Sequence, residues 1–134
     1  MNILDKLRPV GLLLLRLGLG FIFAYHGYAK LFSHPERAQQ FFIGIGLSPL
    51  LVSVVGIIEL FGGCMLIAGL FTRIGALALA GEMIVAIWKA HLAEGILAVN
   101  EYEYALALAV ATFALATMGA GLISLDYAIF RQKA

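Results

Sequence analysis

The chain predicts an all-α fold: a four-transmembrane-helix bundle with a short interfacial helix between spans one and two. Three observations lead there. First, of 134 residues 63% are hydrophobic and 13% are charged, where soluble domains carry about 25% charge, and mean hydropathy is +1.00. Second, the apolar residues fall into four long runs, 10–32, 49–70, 74–91 and 103–123, each near the roughly 20 residues that a helix needs to cross a bilayer. Third, the connections are too short to fold separately, so residues 1–134 read as a single membrane domain with any activity within or between spans. A net charge of +1 without a basic run excludes a nucleic-acid partner. Cys64, the single cysteine, lies in an apolar run, which rules out an internal disulfide or a thiol pair and reads as a small buried hydrophobe.

Each span has recognisable ends. The first is entered through Asp5, Lys6, Arg8 and Pro9, proline suiting the first turn of a helix. Its apolar core continues into Phe21, Phe23, Tyr25 and Tyr28 and carries no small-residue cleavage site, so it reads as a retained signal anchor. Ser33-His34-Pro35-Glu36 reads as a capping box opening a short helix with Phe41 and Phe42, which Gly44, Gly46 and Pro49 break. That helix is too brief to cross and carries Arg37, Gln39 and Gln40, which places it at the interface. Spans two and three are joined only by Phe71, Thr72 and Arg73 and form an antiparallel hairpin. Thr112 and Thr117 return their hydroxyls to backbone carbonyls, and Ser124 and Asp126 cap the final segment. Lys6, Arg8, Arg73, Arg131 and Lys133 on one side outnumber Lys30, Arg37 and Lys89 on the other, which puts both termini in the cytoplasm.

Three charges lie too deep to reach water easily: Arg16, about 9 Å into span one at 1.5 Å per residue, and Glu59 and Glu82 near the midplane of spans two and three. Each costs about 2.5–3.5 kcal/mol on insertion scales, so each faces the bundle interior. In the structural reading Arg16 pairs with one glutamate and fixes helix register. The other glutamate is then protonated, or paired with Lys30 or Lys89, and is the candidate proton donor. Arg16, Gly20, Phe23, Gly27 and Lys30 share one helix face, and Gly56 and Gly63 flank Glu59 on another; glycines at such offsets let helix backbones approach closely.

A second polar group gathers at the other end of the spans: Tyr25, His26, Tyr28 and Lys30; Trp88, Lys89 and His91; and Glu101, Tyr102, Glu103 and Tyr104. The aromatics suit an interfacial belt. His26, Lys30, Lys89, His91, Glu101 and Glu103 exceed what a belt requires and are candidate ligand-binding residues, His26 and Lys30 standing four apart on one helix. His26 and His91 also sit at similar depth, as axial haem ligands do, but haem needs a wide slot that these bulky neighbours do not suggest. No metal-ligand spacing occurs.

RLGLGFIFAYHGYAKL, GIGLSP, GIIELFGGCMLIAGLFTRIGALALAGEMIVAI and EYEYALALAVATFALATMGAGLISLDYAIF together resemble the DoxX family of small four-helix membrane proteins, over almost the whole chain. The most specific parts are Arg16 with Gly20, His26, Gly27 and Lys30, the Glu59-Leu60 and Gly62-Gly63 block followed by Gly69 and Thr72-Arg73, and Gly119-x-Gly121 leading to Ser124 and Asp126. The resemblance implies the bacterial cytoplasmic (inner) membrane and membrane redox systems, among them thiosulfate:quinone oxidoreductase, a terminal quinol oxidase and complexes handling thiol or superoxide stress. It also implies Arg16, Glu59 and Glu82 lining the inter-helix space, with His26 and Lys30 facing the outer end.

Two readings follow. In the first, the protein is an oxidoreductase subunit with quinone between spans one, two and three. Glu82 and Glu59 are catalytic and relay protons, Arg16 balances the ionised glutamate, and His26 or Lys30 holds a carbonyl oxygen. Electrons come from a redox partner protein or a diffusible donor. In the second, a non-catalytic protein assembles or anchors others, or holds a lipid. Small-residue faces permit a homo-oligomer under either reading.

Overall fold

The computed structural model describes residues 2–91 and 102–130, with backbone only at positions 90 and 91. Glu101, Arg131 and Lys133 lie outside the described residues. The described residues are helical almost throughout: α1 (Ile3–Lys6), α2 (Arg8–Tyr28), α3 (Pro35–Gly44), α4 (Leu51–Ala68), α5 (Thr72–Ala86), α6 (Glu103–Met118) and α7 (Leu125–Phe130). A π-helical turn, Ala29–Ser33, continues α2, and another, Ile87–His91, continues α5. By length and composition, two helices suffice to cross a membrane: Arg8–Ser33, with 26 residues, and Leu51–Ala68, with 18. The described third and fourth apolar helices, α5 and α6, have 15 and 16 residues.

α2 packs along α4, α4 against α5, α5 against α6, and α6 touches α2. The shared core draws on all four helices: Leu12, Leu19 and Phe23; Leu66; Ala76 and Leu79; Leu108 and Leu115. The outward faces are apolar too. Phe21, Phe61, Val110 and Leu14 are each more than 60% exposed, an apolar surface far beyond what a water-soluble domain presents.

The α2–α4 seam is set by glycine. A Cβ at Gly20 would lie 2.6 Å from the Gly63 carbonyl, and one at Gly63 would lie 2.5 Å from the Ala24 nitrogen. One heptad along, a Cβ at Gly27 would run into Leu60 N and the Gly56 carbonyl. The antiparallel backbones therefore touch at Gly20–Gly63 and again at Gly27–Gly56, which leaves no depth for side chains between them.

Several helix ends differ from expectation. α3 begins at Pro35 with His34 as N-cap and no side-chain capping bond, so the capping box does not form; Ser33 instead closes the π-turn, where its side chain is not placed to cap. The fourth helix stops at Met118, short of 123, because Gly119 and Gly121 take φ +81 and +86, which end the helical path. The α4–α5 hairpin forms as expected, closed by Gly69 at φ +70 with the Leu70 N–H on the Met65 carbonyl. Cys64 is exposed, not buried, because it stands on the side of α4 away from the Gly56, Glu59, Gly63 face. Thr112 and Thr117 bond the carbonyls of Leu108, Ala109 and Ala114, as their positions predict.

Candidate functional site

Gly56, without a side chain, lets the π-turn lie across α4: a Cβ there would meet Leu31 and, at 3.3 Å, the Lys30 Cβ. Lys30 is thereby seated above the face of α4 that carries Glu59, and its Nζ donates to Glu59 Oε1 at 2.5 Å. The side chain of Glu59 is only 3% exposed, that of Lys30 21%. From α5, the carboxyl of Glu82 comes close enough to that of Glu59 for the two charges to act on each other. Its Oε2 is buried and has no partner. The cluster brings together one ammonium and two carboxyls between α2, α4 and α5.

Arg16 does not join it. The two cations of that helix face are about 21 Å apart along the axis at 1.5 Å per residue, and Arg16 serves the opposite end. It is 1% exposed. Its Nη2 donates to the Ile123 carbonyl at 2.5 Å, and Asp126 is the carboxylate whose charge acts on it. The expected Arg16–glutamate pair is therefore replaced by Lys30–Glu59, because depth as well as helix face decides which charges meet. Arg16 Nε and Nη1 and Thr72 Oγ1 are buried without partners.

Asp126 is the functional-looking residue that sequence reasoning misplaced. It does not cap its own segment: Oδ1 accepts from Phe71 N at 2.6 Å and Oδ2 from Thr72 N at 2.9 Å, capping α5 from a distance. Its own N–H donates to the Gly69 carbonyl at 2.8 Å. Ser124 caps α7, accepting from Tyr127 N. A signal was present in the sequence: α5 begins at Phe71-Thr72-Arg73 with no Asp, Asn or Ser to cap it and no acid in its first turn, so its cap had to come from elsewhere.

The remaining candidates are dispersed. His26 is exposed, its ring 5.9 Å from that of Tyr25 and 6.5 Å from that of Tyr104 on α6. Lys30 turns inward while His26 stays on the surface, so the two serve different neighbours. Lys89 is exposed, its ammonium 4.6 Å from the centroid of the Trp88 ring. Glu103 is exposed in the first turn of α6, where the helix dipole favours an acid. The side chain of His91 and all of Glu101 lie outside the described residues.

The sequence model of the DoxX family matches residues 11–92, which include Arg16, Lys30, Glu59 and Glu82. The chain is 36% identical over 130 residues to the protein named "Putative oxidoreductase CatD" of Bacillus subtilis, covering 97% of this chain and 95% of that one. It is also 36% identical over 136 residues to an uncharacterized protein of Haemophilus influenzae, covering 98% and 100% respectively. No solved structure matches it.

Proposed function

The chain belongs to the DoxX family, and from that premise we propose that it is a quinone-linked redox component of the bacterial cytoplasmic membrane. In this reading α2, α4, α5 and α6 cross the bilayer, both termini are cytoplasmic, and a quinone sits between the helices. The observation that carries the reading is the buried Lys30–Glu59–Glu82 cluster with its unpartnered Glu82 Oε2. Ionisable groups at that depth are costly and mark sites that handle charge. The oxidoreductase name of the Bacillus subtilis relative points the same way.

The donor set suits a quinone. A buried carboxyl oxygen without a partner can hydrogen-bond a ring oxygen when it carries a proton, and can give that proton up. When bound, the quinone supplies the electron-accepting chemistry and takes up protons as it is reduced. Glu82 holds the proton nearest the ligand. Glu59 stands beside Glu82, and Lys30 donates to Glu59. Arg16, at the far end, has a structural part only.

The test is purification in mild detergent, with mass spectrometry of the lipophilic molecules that travel with the protein and thermal unfolding with added short-chain quinone. A stoichiometric quinone and a raised Tm, both diminished in Glu82→Gln, are expected. Phospholipid alone, with no effect of quinone on Tm, would sink this reading and favour an assembly, anchoring or lipid-holding protein. A haem band in the visible spectrum would turn attention to His26 and His91 instead.

A further inference from the structure

We propose that residues 122–130 form a hinged strap, latched over the Arg16 end of the bundle by the Asp126 carboxylate and able to open while α2, α4, α5 and α6 stay packed. The inference is independent of the quinone reading, since Lys30, Glu59 and Glu82 lie at the other end. Four observations carry it. First, Asp126 is the one buried residue of 122–130, and Leu125, Ile129 and Phe130 are 44–59% exposed. α7 packs closely along none of the other described helices. In lipid those outward apolar side chains are solvated whether the strap is closed or open, so closure gains little from burying them. Second, what holds the strap is polar and concentrated. Asp126 Oδ1 and Oδ2 accept from Phe71 N and Thr72 N, Asp126 N donates to the Gly69 carbonyl, and Arg16 Nη2 donates to the Ile123 carbonyl. The rings of Phe71 and Phe130, with centroids 5.7 Å apart, add an apolar tie.

Third, a hinge precedes the strap. Gly119 and Gly121 take φ +81 and +86, and Gly121 is seated so closely on Leu12 that a Cβ there would lie 2.9 Å from Leu12 Cδ1. The chain is thus anchored just before residue 122 and can pivot from there. Fourth, the closed state is not fully satisfied. Arg16 Nε and Nη1 and Thr72 Oγ1 are buried without partners, and buried donors without acceptors carry a desolvation cost. Phe71 holds φ +50, a left-handed conformation rare for a residue with a bulky side chain. Opening lets water reach the three groups and frees Phe71 from the carboxylate that fixes it. Hydrogen bonds to one carboxylate close the strap, while unmet donors and a strained backbone oppose it. Segments balanced in this way open locally, ahead of the rest of the fold.

Amide hydrogen exchange, read by mass spectrometry on the full chain in a mild detergent, follows the strap. Phenylglyoxal, which modifies accessible guanidinium groups, reads whether opening reaches Arg16. In wild type the amides of 122–130 are expected to exchange as one group, faster than those of α4 at the Gly20–Gly63 contact. Asp126→Asn keeps the shape of the side chain and loses its charge. It is expected to speed exchange of the strap about 10- to 100-fold, the range that a hydrogen bond to a charged group is worth, and to speed modification of Arg16 by the same factor, with α4 unchanged. Leu125→Ala is expected to stay within about 2-fold of wild type, as surface substitutions do. Strap amides that exchange in wild type only as slowly as the α4 core overturn the proposal, whether or not the Asp126 variant folds. Arg16 modification that does not follow strap exchange overturns it too. So does a Leu125→Ala effect as large as that of Asp126→Asn, which would show the segment to be held by apolar packing.

Discussion

Lys30 reaches into the protein, whereas lysines near helix ends usually extend toward water. Its ammonium leaves hydration for a carboxylate that is 3% exposed, and only a close pair with further hydrogen bonds offsets that cost. Removing one partner should therefore hurt more than removing both. Lys30→Met is expected to lose about 3 kcal/mol, since Glu59 is left buried and uncompensated, while Lys30→Met with Glu59→Leu returns to within about 1 kcal/mol of wild type. Thermal unfolding of the four proteins of this cycle in one detergent gives the coupling; a double variant as unstable as the sum of the singles would show the pair to be uncoupled. The residue types of this site were legible in the sequence, because a glutamate in an apolar run stands out. Their partners were legible only in part: a Lys30–glutamate pair stood among the alternatives, whereas the expected Arg16–glutamate pair does not form. Helical spacing puts Arg16 and Lys30 on one face, yet the two lie about 21 Å apart along the axis, and only the packed register shows that Lys30 meets Glu59 and Arg16 meets the Ile123 carbonyl.

That register is a property of α2 and α4 as elements. Their backbones touch at Gly20–Gly63 and Gly27–Gly56, and between the two contacts α4 carries Glu59. At Gly27 the atoms in the way of a Cβ are backbone atoms of Leu60 and Gly56, which cannot rotate aside. Gly27→Ala should push the helices apart and cost about 1–3 kcal/mol, the usual range for overpacking. Gly18→Ala lies on the same helix with nothing within 4 Å, so it should be neutral or gain up to about 1 kcal/mol from helix propensity. Comparison of their Tm values separates a local clash from a general dislike of bulk in α2, and equal losses at the two sites would refute the seam. The glycine offsets made this contact readable from sequence. The α5 cap was legible only as a gap: Asp126 is remote in the chain from Phe71 and Thr72, so the missing local cap does not name the residue that supplies it. The Ala29–Ser33 π-turn was invisible, since it is where Leu31 and Lys30 fit over Gly56.

At the scale of the whole molecule, the two polar centres occupy opposite ends. One couples Lys30 to the glutamates. The other ties Arg16, the Gly69 turn and the C-terminal Asp126 together, so the start of α2, the α4–α5 hairpin and α7 meet on one side. Arg73, exposed on that same side, donates to the Ala116 and Thr117 carbonyls at the end of α6 and keeps its charge at the surface. On the other side Lys30 is turned inward, leaving Arg37 and Lys89 as the described exposed cations there. Among the described residues the exposed cations remain in excess on the side of Lys6, Arg8 and Arg73, which predicts that side to be cytoplasmic. With four crossings the two termini share it and α3 lies opposite. Fluorescent-protein fusions at either terminus should fluoresce, alkaline phosphatase at the C-terminus should be inactive, and phosphatase inserted beside Arg37 should be active. The inverse pattern would reverse the orientation while keeping the even number of crossings. Termini on opposite sides would require an odd number, and the four-span arrangement would have to be abandoned.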